Sequence, residues 1–508
     1  MTSLAIAAVT VTVDGRAYRD LDRLRSVRVA TRLALPAQCE LVLAAPDGGA
    51  RWPDEWRFGS RVAVQVASDT GALFDGEVTA VELVHEPDGP VSIRVRGYDL
   101  LHRLRERQQL RVFEDVTAAE LAAALTAELG LELAAEAPGP RLDRVVQHGQ
   151  TDFELLREVS AAAGLYPVVC GRTLRLVTLA GYGDAVPLRL GHGLADLRVA
   201  ANLDRVARRV TGLGWHSQRA ESLAQPATTP RGRPATELDP DPAACGVDGD
   251  RYLVDQPVRS DDQLAAAAQA ALDAGASRAL TASGVADGDA ALRAGRRIAL
   301  DRVAGSVAGE YVLTEVVHTL DGRGYLSSFS TEPPPAPEPP AGVGAAATLT
   351  LGRVTGVADP DRLGRVRVSL PALGDLDVGW LAVLCPGAGP DRGLVALPDV
   401  GDTVMVALPH RRPAAGVVLG SLYGTVPPPD SGVEGDRVRR WSMRTAGGQS
   451  VVVDDAGERV RVENRAGSHV ELGPSRLTVH AATDLVIEAP GKAITIRARS
   501  VDFDRALL

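Results

Sequence analysis

The stretch VVVDDAGERVRVENRAGSHVELGPSRLTVHAATDLVIEAPGKAITIRARSVDF, Val451 to Phe503, repeats one small pattern. Apolar residues fall in i, i+2 pairs: Val451/Val453, Val460/Val462, Val470/Leu472, Leu477/Val479, Leu485/Ile487, Ile494/Ile496 and Val501/Phe503. The pairs start about eight residues apart, with Gly, Asp, Asn or Pro between most of them. Successive side chains of a strand point to opposite faces, so each pair marks one apolar face of a very short strand whose other face is charged. A ladder of such strands is one layer thick and leaves its apolar face in water, an arrangement that is unstable alone. No unit offers a second apolar edge with which a single chain could close a solenoid. Three copies facing inward as a triangular prism would bury every pair. The expectation is a homotrimeric tail whose core is these fourteen side chains.

Upstream of the tail, GRVTGV, GRVRVSLP, GWLAVLCP, TVMVALP and GVVLGSLYG, between Gly352 and Gly424, supply five short strands separated by Gly, Pro and Asp turns. Five is the strand number of a small Greek-key barrel such as the OB-fold. Two proline-rich breaks, TEPPPAPEPPAGVG (Thr331–Gly344) and VPPPDSGVEGD (Val426–Asp436), read as extended linkers. The expected organisation is an N-terminal part over 1–332, a linker over 333–347, a barrel over 348–425, a linker over 426–440 and the strand repeat over 441–508.

The N-terminal part reads as mixed α and β. Thr117 with Glu120 and Thr151 with Glu154 are capping-box pairs, each opening a helix that a glycine, Gly130 or Gly164, should stop. A third, alanine-rich helix follows Ser260 and Gln263 and is expected to stop near Gly275. RVAVQVAS from Arg61 and VSIRVRG from Val91 alternate as half-buried strands. Residues Ala224–Asp250, rich in Pro, Asp, Gly and Thr, suggest a long exposed loop.

An internal repeat runs through this part. Gly76-Glu77, Glu82, Val84, His85 and Asp88-Gly89 recur at the same spacing as Gly309-Glu310, Glu315, Val317, His318 and Asp321-Gly322, seven identities over fourteen positions. Each copy follows a glycine and a basic strand, GSRVAVQV from Gly59 and GRRIALDRV from Gly295. The repeat predicts two related small β-barrels, with His85 and His318 as matching structural residues near a hairpin end.

Bulk properties fit a large water-exposed molecule. At 508 residues the chain exceeds a single core, and 45% hydrophobic with 24% charged residues is ordinary for globular protein. The net charge of −10 and the 4% aromatic content oppose nucleic-acid binding, which needs a basic groove and stacking platforms. Lys492 is the single lysine among 55 basic residues. Cys39, Cys170, Cys245 and Cys385 lie far apart with no C-x-x-C pair, which fits free thiols in a reducing compartment. MTSLAIAAVTVTVDG alternates like a strand and lacks a basic n-region, so no signal peptide is expected. No apolar run is long enough to span a bilayer. Folding in the cytoplasm follows, with any export by another route.

Motifs for chemistry are missing. GYGDAV and GHGLAD lack dinucleotide-loop spacing, and neither a P-loop nor a G-x-S-x-G elbow occurs. His85-Glu86 is followed by proline with no second histidine. Asp239, Asp241, Asp248 and Asp250 lack EF-hand spacing and read as a solvated loop, and Asp359/Asp361 read as a turn between barrel strands. No catalytic residue, cofactor or metal ligand is expected.

QTDFELLREVSAAAGLYPVV (Gln150–Val169) resembles the Q-x-S/T-D-F-x-L-x-R segment of VgrG-type spikes and phage baseplate hubs. FDGEVTAVELVHEPDGPVSIRVRGYDLLHRL (Phe74–Leu104) is similar to the strand pair and helix of the same hub, and GRVTGVADPDRLGRVRVSLP (Gly352–Pro371) to the start of its OB-fold. The resemblance covers the chain in the family's domain order. It implies a mainly β molecule with some α: a hub with two barrels and helices, an OB-fold, and a trimeric intertwined β-helix. It further implies a non-enzymatic homotrimeric spike of a contractile injection system, of phage, type VI or extracellular kind. Such a spike joins inner tube and baseplate proteins to a PAAR-like tip, with possible effector cargo, and meets a membrane only by piercing. The particle would be cytoplasmic, cell-attached or extracellular. Val426–Arg440 leaves no room for an inserted lysozyme domain, and no effector is expected after the repeat. The alternatives are a tail-associated peptidoglycan hydrolase and a receptor-binding tail protein.

Overall fold

The computed structural model describes residues 9–45, 55–66, 71–85, 91–204, 206–216, 221–256, 258, 260–335, 348–409, 412–424 and 426–503. The chain divides into two compact units, Met1–Ser421 and Leu422–Leu508. The expected turn at Asp88-Gly89 and most of the linker 333–347 lie outside the described residues.

The first barrel-like unit uses β1 (Val9–Val13), β2 (Leu24–Arg32), β3 (Gln38–Ala44), β4 (Arg61–Val66), β5 (Ala72–Val84) and β6 (Ser92–Tyr98), ordered β1-β4-β5-β6-β3-β2. Alternate residues turn inward: Val62, Val64 and Val66 of β4 and Ile93 and Val95 of β6 are buried in one core with Val27, Val29, Leu41 and Trp56. This is the period-2 burial that the alternating sequence predicts.

A helical layer follows. It contains β7 (Arg111–Val116), α1 (Ala118–Thr126), β8 (Glu132–Ala135), β9 (Leu142–Gln147), α2 (Asp152–Ala162), β10 (Tyr166–Cys170) and β11 (Thr173–Val177). Both predicted capping boxes form, on Thr117/Glu120 and Thr151/Glu154. The QTDF motif is a folding device. Asp152 is buried and ion-paired with Arg107 at 3.1 Å and Arg111 at 2.6 Å, while Phe153, Leu155 and Leu156 enter the core. Arg157 lies over the Phe153 ring.

The second unit comprises β12 (Tyr182–Leu190), β13 (Gly193–Ala201), an excursion through β14 (Arg209–His216), β15 (Glu221–Ala227), β16 (Asp250–Gln256) and α3 (Asp261–Ala279), and then β17 (Leu280–Asp287), β18 (Arg296–Asp301), β19 (Gly309–Val312), β20 (Glu315–Asp321) and β21 (Gly324–Ser330). Two expectations are corrected here. α3 does not stop near Gly275 but continues to Ala279, because Gly275 and Ala276 are buried in its packed face and packing overrides the glycine. Ala224–Asp250 is not wholly a loop: Ala224–Ala227 belongs to β15 and Asp250 opens β16. Between them the chain is pinned where Arg231 N–H donates to Asp273 Oδ1 at 2.7 Å and Ser277 Oγ donates to Gly232 O at 2.9 Å.

The internal repeat occupies equivalent strands of two barrel-like units. In the first, β5 pairs with β4 through its first half and with β6 through its second. In the second, the same strand is broken: β19 pairs with β18, and β20 with β21. Leu313 N–H to Arg296 O and Thr314 N–H to Ser330 O, each 2.9 Å, carry the ladder across the break. The strand order β12-β18-β19/β20-β21-β17-β13 repeats that of the first unit. The units differ at one strand, since β12 runs parallel to β18 whereas β1 is antiparallel to β4. The second ring closes through β12 and β13, while β2 of the first unit pairs with β20. At the repeated glycine a side chain would meet main chain in both copies, but not the equivalent strand. A Cβ at Gly76 would lie 2.2 Å from Tyr98 O, and one at Gly309 (φ +147°) would lie 2.0 Å from Ala235 O. The first admits the paired strand β6, the second the 228–249 segment.

The two histidines of the repeat do not match. His85 is exposed just beyond β5, whereas His318 is buried in mid-β20. There Nε2–H donates to Leu292 O at 3.0 Å and Nδ1 accepts from Ser327 Oγ at 2.9 Å. Burial lowers its pKa to about 4. What packs on the two positions differs, which identity of residue type does not report.

A closed five-stranded barrel follows: β22 (Thr348–Gly356), β23 (Val366–Leu370), β24 (Leu376–Val383), β25 (Thr403–Leu408) and β26 (Val417–Leu422), in ring order β22-β23-β24-β26-β25. All five predicted strands are present. Asp359 forms the turn between β22 and β23, accepting from Leu363 N–H at 2.8 Å and from Arg365 Nη2 at 2.6 Å. The Arg365 guanidinium holds the Asp359 carboxyl well below the usual carboxylate range.

Candidate functional site

The tail unit, taken by itself, is an antiparallel meander of β27 (Arg440–Arg444), β28 (Ser450–Asp454), β29 (Arg459–Glu463), β30 (His469–Leu472) and β31 (Leu477–His480). Gly and Asp turns set the register. Asp454 caps the β28–β29 turn, accepting from Gly457 N–H at 3.0 Å and Arg459 Nε at 3.2 Å, contacts that hold its carboxyl below the usual range.

That register aligns the apolar pairs into two columns across all five strands. One runs Trp441, Val453, Val460, Leu472, Leu477, and the other Met443, Val451, Val462, Val470, Val479. Residues directly opposite on neighbouring strands are the unit of sheet stabilisation, so each column is a continuous apolar stripe. The opposite face is polar. Arg461 donates to Glu463 Oε2 at 3.1 Å and Glu471 Oε2 at 3.0 Å, tying β29 to β30.

The stripes are open to solvent: Val462 is 51% exposed and Trp441 75%. A groove of about 550 Å³ runs beside the second column, lined by Met443, Val451, Val462, Val470, Val479 and Leu485. Exposed apolar area of this continuity marks an interaction surface. Of the fourteen expected core residues, Val451, Val453, Val460, Val462, Val470, Leu472, Leu477 and Val479 stand in the columns. Leu485, Ile487, Ile494, Ile496, Val501 and Phe503 do not, because residues 481–503 carry no strand pairing in the single chain. They are exposed, Phe503 by 91%. In the single chain four of the seven expected units are paired strands, preceded by β27, which was not anticipated. Main-chain N–H and C=O groups need a partner strand, and among the described residues none follows β31. Pro490 also removes a donor there. Trp441 and Met443 were missed, although they form the same i, i+2 pair one strand earlier.

Among the described residues no group of three or more His, Cys, Asp or Glu is placed to hold a metal ion. Asp239 and Asp241 of the 228–249 segment pair with Arg233 and Arg208. Asp273, Glu77 and Asp152 are each held by arginines. The barrel's aromatic residues over 348–424 are Trp380 and Tyr423. Among the described residues no helix is long and apolar enough to cross a membrane.

Residues 32–323 match the phage tail baseplate hub (GPD) family, and residues 350–423 match the type VI secretion system/phage-baseplate injector OB domain. No curated protein matches the chain. Among solved structures, an E. coli protein described as a component of the type VI secretion system with structural similarity to T4 bacteriophage tail proteins is 14% identical, with a TM-score of 0.52 over 81% of this chain and 99% of that one. A Francisella PdpA-VgrG complex is 7% identical, with a TM-score of 0.51 over 93% and 87%. The 43 kDa tail protein of prophage MuSo2 from Shewanella oneidensis is 14% identical, with a TM-score of 0.50 over 64% and 97%. At these identities the likeness is one of fold. The matched families are structural ones of baseplate and spike, and no enzyme family is among them.

Proposed function

The chain belongs to the phage tail baseplate hub family, and we propose that it is the homotrimeric hub and piercing spike of a contractile injection system. The observation that carries this reading is the pair of apolar columns left open on the tail sheet. A fully buried Val or Leu contributes about 1.5–3 kcal/mol, so five-residue columns repeated on three chains favour association strongly. Residues 481–503, which lack partner strands in one chain, gain them from neighbouring chains in an intertwined β-helix. The fourteen side chains from Val451 to Phe503 then form the trimer core, joined by Trp441 and Met443.

The duplicated barrel supports the second half of the reading. Two similar barrels per chain give six in a trimer, the number of near-equivalent surfaces that a sixfold tube presents. The hub would then dock on the inner tube and baseplate, with a PAAR-like tip and any effector cargo at the far end. Its action is mechanical, without hydrolysis. Sedimentation equilibrium of the purified chain tests the proposal: a trimer is expected, and a stable monomer at micromolar concentration overturns it. The same preparation is expected not to clear peptidoglycan in a turbidity assay.

A further inference from the structure

On the polar face of the tail, His469 of β30 and His480 of β31 are direct cross-strand partners. Their rings stack, with centroids 5.0 Å apart and planes at 29°. His469 Nδ1 lies 2.9 Å from Gly467 O. Arg461 Nη2 lies 3.2 Å from the same Nδ1, so both polar contacts of the ring fall on Nδ1 and Nε2 lies on the side away from them. A main-chain carbonyl against the far nitrogen orients the ring, as it does for imidazoles that bind metal. The Arg461 charge is balanced by Glu463 and Glu471.

We propose that His469 and His480 chelate one divalent transition-metal ion per chain, Zn²⁺, Ni²⁺ or Cu²⁺, with water completing the coordination. Imidazole suits these ions, and reorienting the exposed His480 ring brings the second nitrogen toward Nε2 of His469. Bound there, the ion staples β30 to β31, the last paired strand of the meander, and stabilises the tail by mass action. The histidines are eleven residues apart in sequence, and only the hairpin register brings them together. The site uses the polar face, so its stoichiometry of one ion per chain is independent of whether the apolar face assembles.

Calorimetric titration of the untagged full chain with Zn²⁺ and with Ni²⁺ tests this. Binding at one ion per chain is expected, weakened at least about tenfold in both His469→Gln and His480→Gln. Absence of binding by the native chain, or unchanged affinity in either variant, overturns it. The native chain with one equivalent of Cu²⁺ gives a readout free of folding effects. An electron paramagnetic resonance spectrum with two coupled imidazole nitrogens is expected, and one with fewer overturns the chelate.

Discussion

Arg144 on β9 donates from Nη2 to the main-chain carbonyl oxygen of Asp377 on β24 at 2.9 Å, joining residues 233 positions apart. Its other terminal nitrogen donates to Glu114 Oε1 at 2.7 Å on the neighbouring strand β7. The guanidinium is thus a rigid fork between the helical layer and the five-stranded barrel. Asp377 is fixed in turn, its carboxylate accepting from Arg367 Nε at 2.7 Å and Gly379 N–H at 2.8 Å.

Replacing Arg144 by Ala is expected to cost about 1.5–3 kcal/mol, the range for a hydrogen bond to a charged donor. Hydrogen exchange should show faster exchange at β24 amides while β4 and β5 of the first barrel stay protected. Lysine at the same position keeps the charge but not the fork, and should rescue only part of the loss.

Asp152 is buried against Arg107 and Arg111. Asp152→Asn leaves two guanidinium groups without their carboxylate and is expected to cost about 3 kcal/mol, measured by urea unfolding of the native and variant chains. An effect below about 0.5 kcal/mol, as for an ordinary surface change, would show that the QTDF segment does not anchor α2.

His318 makes stability depend on pH. Its folded pKa of about 4 lies below the ordinary value of 6.5, because burial disfavours the charged ring. The unfolded chain therefore takes up the proton first. The contribution is complete above pH 6.5, declines as pH falls toward 4 and is level below that, about 3 kcal/mol in all. Unfolding free energies between pH 7 and 4.5 should show this slope, and His318→Asn should flatten it at a lower overall stability.

Val462 sits at the centre of the second tail column, between Val451 and Val470. An aspartate there places an unpaired charge on the apolar face of every copy, and Ile496→Asp does the same in the segment beyond β31. Both are expected to shift sedimentation from trimer toward monomer. Val462→Asp should act more strongly, because its strand is already formed in the single chain. Arg465→Asp, at the exposed end of the β29–β30 turn, is the control and should leave the assembly intact.

Local signals were legible wherever neighbours in sequence decide the structure. Capping boxes at Thr117 and Thr151, the five barrel strands, the Asp359 turn and the i, i+2 pairs of the tail depend on contacts within a few residues, and period and turn chemistry report them directly. The duplication between Gly76 and Gly309 was legible as residue identity at fixed spacing. Everything that depends on what packs from afar had to come from the tertiary structure. His318 is buried against Leu292 and Ser327, whereas His85 at the same place in the repeat is exposed. Packing of α3 carried it past Gly275. Strand pairing stopped after β31 because pairing needs a partner that alternation alone does not supply. By itself the sequence determined the capping boxes, the barrel strands and the paired strands from Val451 to Val479, because those choices are set by φ/ψ preference and side-chain period. Only the tertiary structure decided which of them meet, Arg144 with Asp377 and His469 with His480 among them, because chain closure over long separations is set by the whole core.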